Sequence, residues 1–466
     1  MLYQDFLASK KHAFVNSGFK AEVNELNPLM FEWQKYVTRW AIQKGKAALF
    51  LECGAGKSIC QLEWGSQVSR QTSKPVLILA PLAVSAQTVR EGAKFNYSVN
   101  ICRSQSDIVN GINIANYEIM DRFDAETFAG IILDESSILK HHGAKTRQWL
   151  TEAYVNTPYK LCCTATPAPN DFMELGNHSE FLGVMKRTEM LATYFVHDGG
   201  ETQTWRLKRH ASDAFWAWVA SWGCVIEKPS DIGFESAGYD LPELRLHEHV
   251  VKSNNTMLGD QYTIFATEAQ TLLERRQARR NSLSDRVSVA AEIANSTDKQ
   301  VLVWCDLNSE SDNLTRSIQG AVEVKGADSG EHKVNSMIGF AEGSVRVLVS
   351  KPSIAGYGMN WQNCSKMIFV GLSDSWEMYY QAVRRCWRFG QTQPVDVHIV
   401  SSESEGAVRA NIQRKEKQAA HMKREMIKHT RAILEQDIKQ TKLIKDEYLI
   451  TRIMEVPAWL KEELAC

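Results

Sequence analysis

Within the 466-residue chain, Gly54-Ala55-Gly56-Lys57-Ser58 gathers the residue types that hold a phosphate chain. Glycines let a backbone curl so that its N–H groups point inward at phosphate oxygens, and a helix starting behind them adds partial positive charge. Lys57 would reach the β- and γ-phosphates, and Ser58 would offer its hydroxyl to Mg²⁺. The strict pattern Gly-x-x-x-x-Gly-Lys-Ser/Thr is not met, because Leu51 stands where its first glycine belongs. Taken alone, the stretch favours nucleotide binding over the alternative, a glycine turn that merely caps a strand.

A second group is Gly130-Ile131-Ile132-Leu133-Asp134-Glu135, an apolar run that delivers two carboxylates at its end. Ligands bind at the carboxyl ends of strands in open α/β sheets. There Asp134 would hold Mg²⁺, and Glu135 would orient or deprotonate a water. A lone Asp-Glu pair is ordinarily a solvated turn, but downstream of a phosphate loop it reads as the metal half of a nucleotide-hydrolysing site. Gln34 offers both a donor and an acceptor and could read the N6 and N7 edge of adenine; otherwise it is a surface residue at a helix start. Arg385 and Arg388, three apart, share one face if their stretch is helical, and arginines on a rigid element can stabilise a transferring γ-phosphoryl. Arg275, Arg276, Arg279 and Arg280 form a basic cluster for which phosphate contact and a solvated face are equally open.

The elements that must position these residues alternate along the chain. Apolar runs at 47–51, 76–80, 112–115, 130–133 and 160–163 are separated by polar, helix-compatible stretches, which implies a mostly parallel sheet with helices on both faces. The alternation resumes at 301–305, 345–350, 367–370 and 395–400, a second α/β unit without a phosphate loop. Between the two, Phe215, Trp218, Val219 and Trp222 fall at helical spacing and read as packing, while Pro229, Gly233, Gly238 and Pro242 punctuate a linker-like stretch. The tail from 407 to 447 carries eleven Lys/Arg against six Asp/Glu, with apolar pairs such as Val408 and Ile412, Met422 and Met426, and Leu434 and Ile438. It reads as one or two amphipathic helices packing back on the body.

The formal net charge of −1 argues against wholesale binding of a polyanion but not against a local basic groove. Ten scattered cysteines without a Cys-x-x-Cys suggest buried, reduced thiols. The start of the chain lacks the apolar core of a signal peptide and no run reaches membrane-spanning length, so a soluble, cytoplasmic protein is expected.

With both halves in view, the order of motifs resembles the superfamily 2 helicases, and closest their Swi/Snf-like branch. Gln34 is similar to the adenine-reading glutamine, Gly54 to Ser58 to motif I, Ala80-Pro81-Leu82 with Gln87 and Glu91 to motif Ia, and Asn116-Tyr117-Glu118 to motif Ib. Asp134 to Lys140 resembles motif II, and Thr164 to Asn170 with Glu174-Leu175 resembles motif III. Ser353 to Asn360 resembles motif V, and Gln381 to Gln391, ending in Arg-x-Gly-Gln, resembles motif VI. The compact length and the Asp-Glu-Ser-Ser form look most like bacteriophage-encoded members. Leu51 and Ser137 depart from the pattern, the latter standing where relatives often have His.

The resemblance implies two RecA-like lobes of α/β class with ATP and Mg²⁺ in the cleft between them, and a helical tail. The division would be 1–240, 241–405 and 406–466. Gln34, Gly54, Ala55, Gly56, Lys57, Ser58 and Gly358 would bind nucleotide, and Ser58 and Asp134 the metal. Glu135, Lys57, Gln381, Arg385 and Arg388 would carry hydrolysis, and Thr164 and Thr166 would couple the nucleotide to the strand-binding face. The implied activity is a DNA-stimulated ATPase that translocates on or remodels DNA, in host cytoplasm if phage-encoded. An RNA-dependent helicase and a non-hydrolysing, DNA-bound nucleotide switch are the alternatives.

Overall fold

The computed structural model describes residues 16–438 apart from 83, 142, 198–204, 237, 252–256, 259–260, 263–279, 281 and 357–358. The five strands expected in the first half are present: β1 (Lys46–Leu51), β2 (Val76–Ala80), β4 (Ile112–Asn116), β5 (Gly130–Asp134) and β6 (Tyr159–Cys163). Two further strands, β3 (Val99–Ile101) and β7 (Gly223–Ile226), close the edges, giving a seven-stranded sheet in the order β3-β4-β2-β5-β6-β1-β7. Every neighbour pair is parallel. A parallel sheet is covered on both faces, so its strands are apolar throughout rather than alternating. β1 shows this: Ala47, Leu49 and Leu51 enter one core, while Ala48 and Phe50 enter the other.

The second sheet is built from β8 (Leu244–Val251), β9 (Val301–Trp304), β10 (Ala321–Val324), β11 (Val347–Ser350), β12 (Lys366–Val370) and β13 (Val395–Ser402). These six run in the order β8-β13-β12-β9-β11-β10 and are again all parallel. The fold class expected from the alternation of apolar runs is therefore the one observed. β8, at the end of the linker-like stretch, and β10 are additions; both are only partly buried edge strands.

Four helices position or brace the residues singled out by type and spacing. α1 (Glu32–Lys44) and α2 (Lys57–Thr72) lie against the first sheet, and α3 (Trp376–Val383) precedes the arginine pair. α4 (Gly406–Ile438) is a single helix of 33 residues. Its early residue Val408 joins the core of the second unit, and Ile412 and Ala419 pack with Trp376. Further along, Met422 and Met426 are buried in the core of the first unit. The apolar pattern places Leu434 and Ile438 on the same face, but their side chains lie outside the described residues. The tryptophan-rich segment folds as expected, with Phe215, Trp218, Val219 and Trp222 all buried, and Trp216 buried beside them. The nine described cysteines are buried free thiols. Among the described residues, no helix is long and apolar enough to cross a membrane.

Because Met426 is wholly buried in a core built by residues far earlier in the chain, Met426→Ala should destabilise that unit by about 2–5 kcal/mol. The check is a denaturant midpoint; an unchanged midpoint would mean that α4 rests on the surface without stabilising it.

Candidate nucleotide site

A cleft of about 460 Å³ opens between the two sheets, lined by Gln34, Gly54, Gly56, Lys57, Ser58, Asp134 and Glu135 from the first unit and by Asn360, Gln362, Arg385 and Arg388 from the second. The phosphate loop sits at the carboxyl end of β1, between that strand and α2. Gly54 and Gly56 take φ values of +86° and +87°, which side-chain-bearing residues rarely adopt. A Cβ on Gly56 would lie 2.2 Å from Gln34 Nε2, and one on Gly54 would lie 3.2 Å from Phe389 across the cleft. Backbone conformation is what favours both glycines; the contacts add less, because the end of the Gln34 side chain can move and Phe389 need give by only a few tenths of an ångström. Ala55 is buried, and its carbonyl accepts from Gln34 Nε2 at 3.0 Å, so the glutamine is tied directly to the loop. Leu51, the departure from the strict pattern, is fully buried at the end of β1, and its carbonyl accepts from Lys57 Nζ at 3.4 Å.

The acidic pair ends β5. Asp134 accepts from Gln61 Nε2 at 2.7 Å, and Glu135 follows with a φ of +52° that turns its side chain away from the strand line. Burial and the neighbouring Glu135 push the Asp134 carboxyl up to about 6, against the opposing pull of Gln61 and Lys57. Burial alone would lower the Lys57 ammonium, but Glu135, Asp134 and Glu52 hold it above its ordinary value. A buried carboxylate strained by a like charge, with a serine hydroxyl lining the same cleft, is a hard-oxygen donor set of the kind that suits Mg²⁺. Ser58 and Asp134 thus fit the metal that the resemblance implies.

The arginines would share one face of a helix only if their stretch were helical. Instead α3 ends at Val383, and both arginines lie in the turns beyond it. They converge by another route: Arg385 and Arg388 both donate to the Met359 carbonyl, at 3.1 and 3.4 Å. Burial and the adjacent Arg385 bring the Arg388 guanidinium down to about 10, and its Nε has no partner among the described residues. A buried and a half-buried guanidinium side by side make a site that an anion would relieve. Gln381 does not line the cleft. It is 1% exposed, its carboxamide has no partner among the described residues, and its backbone carbonyl accepts from Arg385 Nε. At the far end of the cleft, Tyr239 and Phe389 pack with ring centroids 4.6 Å apart, an aromatic pair that spacing did not reveal.

Thr164 and Thr166 connect the acidic pair with the second lobe. The Thr164 hydroxyl donates to Glu135 at 3.3 Å, and the Thr166 hydroxyl donates across the interface to Glu377 at 3.0 Å. His178 also escaped sequence reasoning. It lies wholly buried against Ser136 Oγ at 3.1 Å, so an imidazole does meet the acidic motif, but from a later helix and beside Ser136 rather than at Ser137. Gly358 and Arg275, Arg276 and Arg279 lie outside the described residues, and Arg280 is exposed.

The two sheets with their helices form two parallel α/β lobes that share the cleft. Residues 285–390 match the family model of the helicase conserved C-terminal domain. No match is found among curated proteins. Among solved structures, the Sulfolobus solfataricus SWI2/SNF2 ATPase core in complex with dsDNA is matched over 92% of this chain and 97% of its own. That match has 17% sequence identity and a TM-score of 0.41, a likeness too loose to bear on function.

His178 yields a pH prediction. Burial depresses its ring from 6.5 to about 4, so between those values the unfolded chain binds one proton more than the folded one. Stability should therefore fall as pH drops from 6.5 toward 4, by up to about 3 kcal/mol from this group. Denaturant midpoints across that window should show a flatter slope for His178→Gln than for the unaltered chain. Identical slopes would exclude His178 as a source of acid sensitivity.

Proposed function

We propose that the chain is an ATP-dependent DNA translocase or helicase of the Swi/Snf-like kind, hydrolysing ATP to ADP and phosphate and coupling this to movement on or remodelling of DNA. The observation that carries the reading is the shared cleft, in which Lys57, Asp134 and Glu135 of one lobe face Arg385 and Arg388 of the other. The match of residues 285–390 to the helicase C-terminal domain supports it independently of the phosphate loop. The Asp-Glu-Ser-Ser-x-x-Lys and Arg-x-Gly-Gln forms favour DNA over RNA as partner. The division into 1–240, 241–405 and 406–466 belongs to the same reading.

In this account the loop amides and Lys57 hold the phosphate chain, Gln34 reads adenine, and Tyr239 with Phe389 flanks the base. Ser58 and Asp134 would hold Mg²⁺, which would supply positive charge against the phosphate chain. Glu135 orients and deprotonates the attacking water. Phosphoryl transfer leaves the protein little covalent work, so positioning and charge stabilisation supply the rate. The arginine pair serves that role from the opposite lobe. Hydrolysis removes the anion the pair engages, which lets the lobes part and reset.

The test is ATP turnover measured in parallel without nucleic acid and with single-stranded, duplex or forked DNA, or RNA. Duplex or forked DNA should stimulate most, and Lys57→Ala should abolish turnover in a folded protein. Glu135→Gln should still bind ATP yet stall. Stimulation by RNA alone would make the protein an RNA helicase, and ATP binding without turnover under any condition would make it a nucleotide switch. Full turnover in Lys57→Ala would remove the basis of the assignment.

A further inference from the structure

Glu377 lies in the first turn of α3, on the second lobe, and is 2% exposed. Both of its carboxylate oxygens are committed to the first lobe. Oε1 accepts the Thr166 hydroxyl at 3.0 Å, and Oε2 accepts the Lys140 ammonium. Lys140 ends the short 3₁₀ turn Ser136–Lys140 that begins immediately after Glu135. Thr166 reaches the same carboxylate by another path: its backbone N–H donates to Thr164 Oγ1 at 3.1 Å, and the Thr164 hydroxyl donates to Glu135 Oε2 at 3.3 Å. Two routes, one through the chain and one through hydroxyls, thus join Glu135 to a single carboxylate on the other lobe.

That carboxylate sits at one end of a rigid rod. α3 runs eight residues from Trp376 to Val383, and Arg385 and Arg388 lie just past its far end. A helix this short does not bend appreciably, so a shift at its first turn is carried to the residues beyond its last. A buried ion pair across an interface adds little net stability, because the desolvation cost offsets the attraction. Its directionality is more informative: both oxygens point at groups that track the position and charge of Glu135.

We infer that Glu377 is a positioning residue for hydrolysis, holding α3 so that Arg385 and Arg388 meet the γ-phosphate only when Glu135 is in its working arrangement. The inference rests on the ATPase reading. It assigns a role to a residue that touches neither nucleotide nor metal, and it makes the Thr166–Glu377 contact the point where the two lobes communicate.

The experiment measures kcat and KM for ATP on saturating duplex DNA for Thr166→Val, Glu377→Ala, Glu377→Gln and the double variant Thr166→Val/Glu377→Ala. Misplacing a charge-stabilising group by about 1 Å costs up to ~10²-fold, so Thr166→Val and Glu377→Ala should each lower kcat by about 10–10²-fold. KM for ATP should stay within about threefold, because ground-state binding is unaffected. The double variant should fall no further than the worse single one, since both cut the same link. Glu377→Gln still accepts the Thr166 hydroxyl and should recover most of the rate; where Glu377→Ala does not fold, this variant and Thr166→Val carry the test. Losses that multiply in the double variant, a change in KM instead of kcat, or a wild-type kcat in Glu377→Ala or Thr166→Val would overturn the inference while leaving the ATPase assignment intact. A complete lack of nucleic-acid-stimulated hydrolysis in the unaltered chain would overturn both together.

Discussion

One buried carboxylate holds the cleft together. Glu52, directly before the phosphate loop, accepts from the Cys53 N–H at 2.7 Å, pairs with Arg384 of the second lobe at 3.0 Å and with Lys423 of α4 at 2.6 Å, and receives the Tyr380 hydroxyl. Burial alone would raise its pKa, but the guanidinium and the ammonium more than reverse this and hold it well below the ordinary carboxylate range. A charge buried to this degree is tolerable only when fully paired, and the partners from outside its own lobe come from two parts of the fold, Arg384 and Tyr380 from the second lobe and Lys423 from α4. The phosphate loop, the arginine-bearing segment and the C-terminal helix are therefore fixed relative to one another through a single side chain.

The position of the cleft is set by that constraint. With Glu52 joined to Arg384, the next residue along, Arg385, lines the cleft with the phosphate loop, and a Cβ on Gly54 would lie only 3.2 Å from Phe389. The contacts that Glu52 and Glu377 make across the cleft are polar: Glu52 with Arg384 and Tyr380, and Glu377 with Lys140 and Thr166. Interfaces held by ion pairs and hydroxyls part at lower cost than continuous apolar ones, which would suit the opening and closing that the proposed ATPase cycle calls for. The apolar attachment is left to α4, which buries Met422 and Met426 in one lobe and Val408 in the other. Chemistry is thus assigned to a separable interface and cohesion to a helix outside it.

Local strings were the part of this design open to reading from the chain. The loop Gly54 to Ser58, the pair Asp134 and Glu135, and the central strands are each specified within a few residues, because phosphate cradles and buried parallel strands demand particular types at short spacing. The edges were harder. β3, β8 and β10 are short or half-exposed, so they carry no continuous apolar run to distinguish them from loops, and β7, though buried and apolar, is only four residues long and directly follows the tryptophan-rich helical pattern. The arginine pair was found, but its helix was not, since α3 stops before the pair and the turns beyond it are shaped by the Met359 carbonyl on a distant segment. Partners remote in sequence left no signal at all. Glu52 with Lys423, Glu377 with Lys140, and His178 with Ser136 are joined by the fold alone, and a single glutamate or histidine in a sequence does not announce which charge it will meet.

The central claim is that one nucleotide site is assembled from both lobes, and Arg388 tests it most directly because it lies on the lobe that lacks a phosphate loop. ATP affinity and turnover on saturating duplex DNA should be measured for Arg388→Ala and Arg388→Lys. A cross-lobe site predicts affinity within about tenfold of the unaltered chain and turnover reduced by ~10²-fold or more, with no rescue by lysine because the planar fork is lost. Unimpaired turnover in folded Arg388→Ala protein would contradict it, and would leave the arginine as a structural cation of the second lobe.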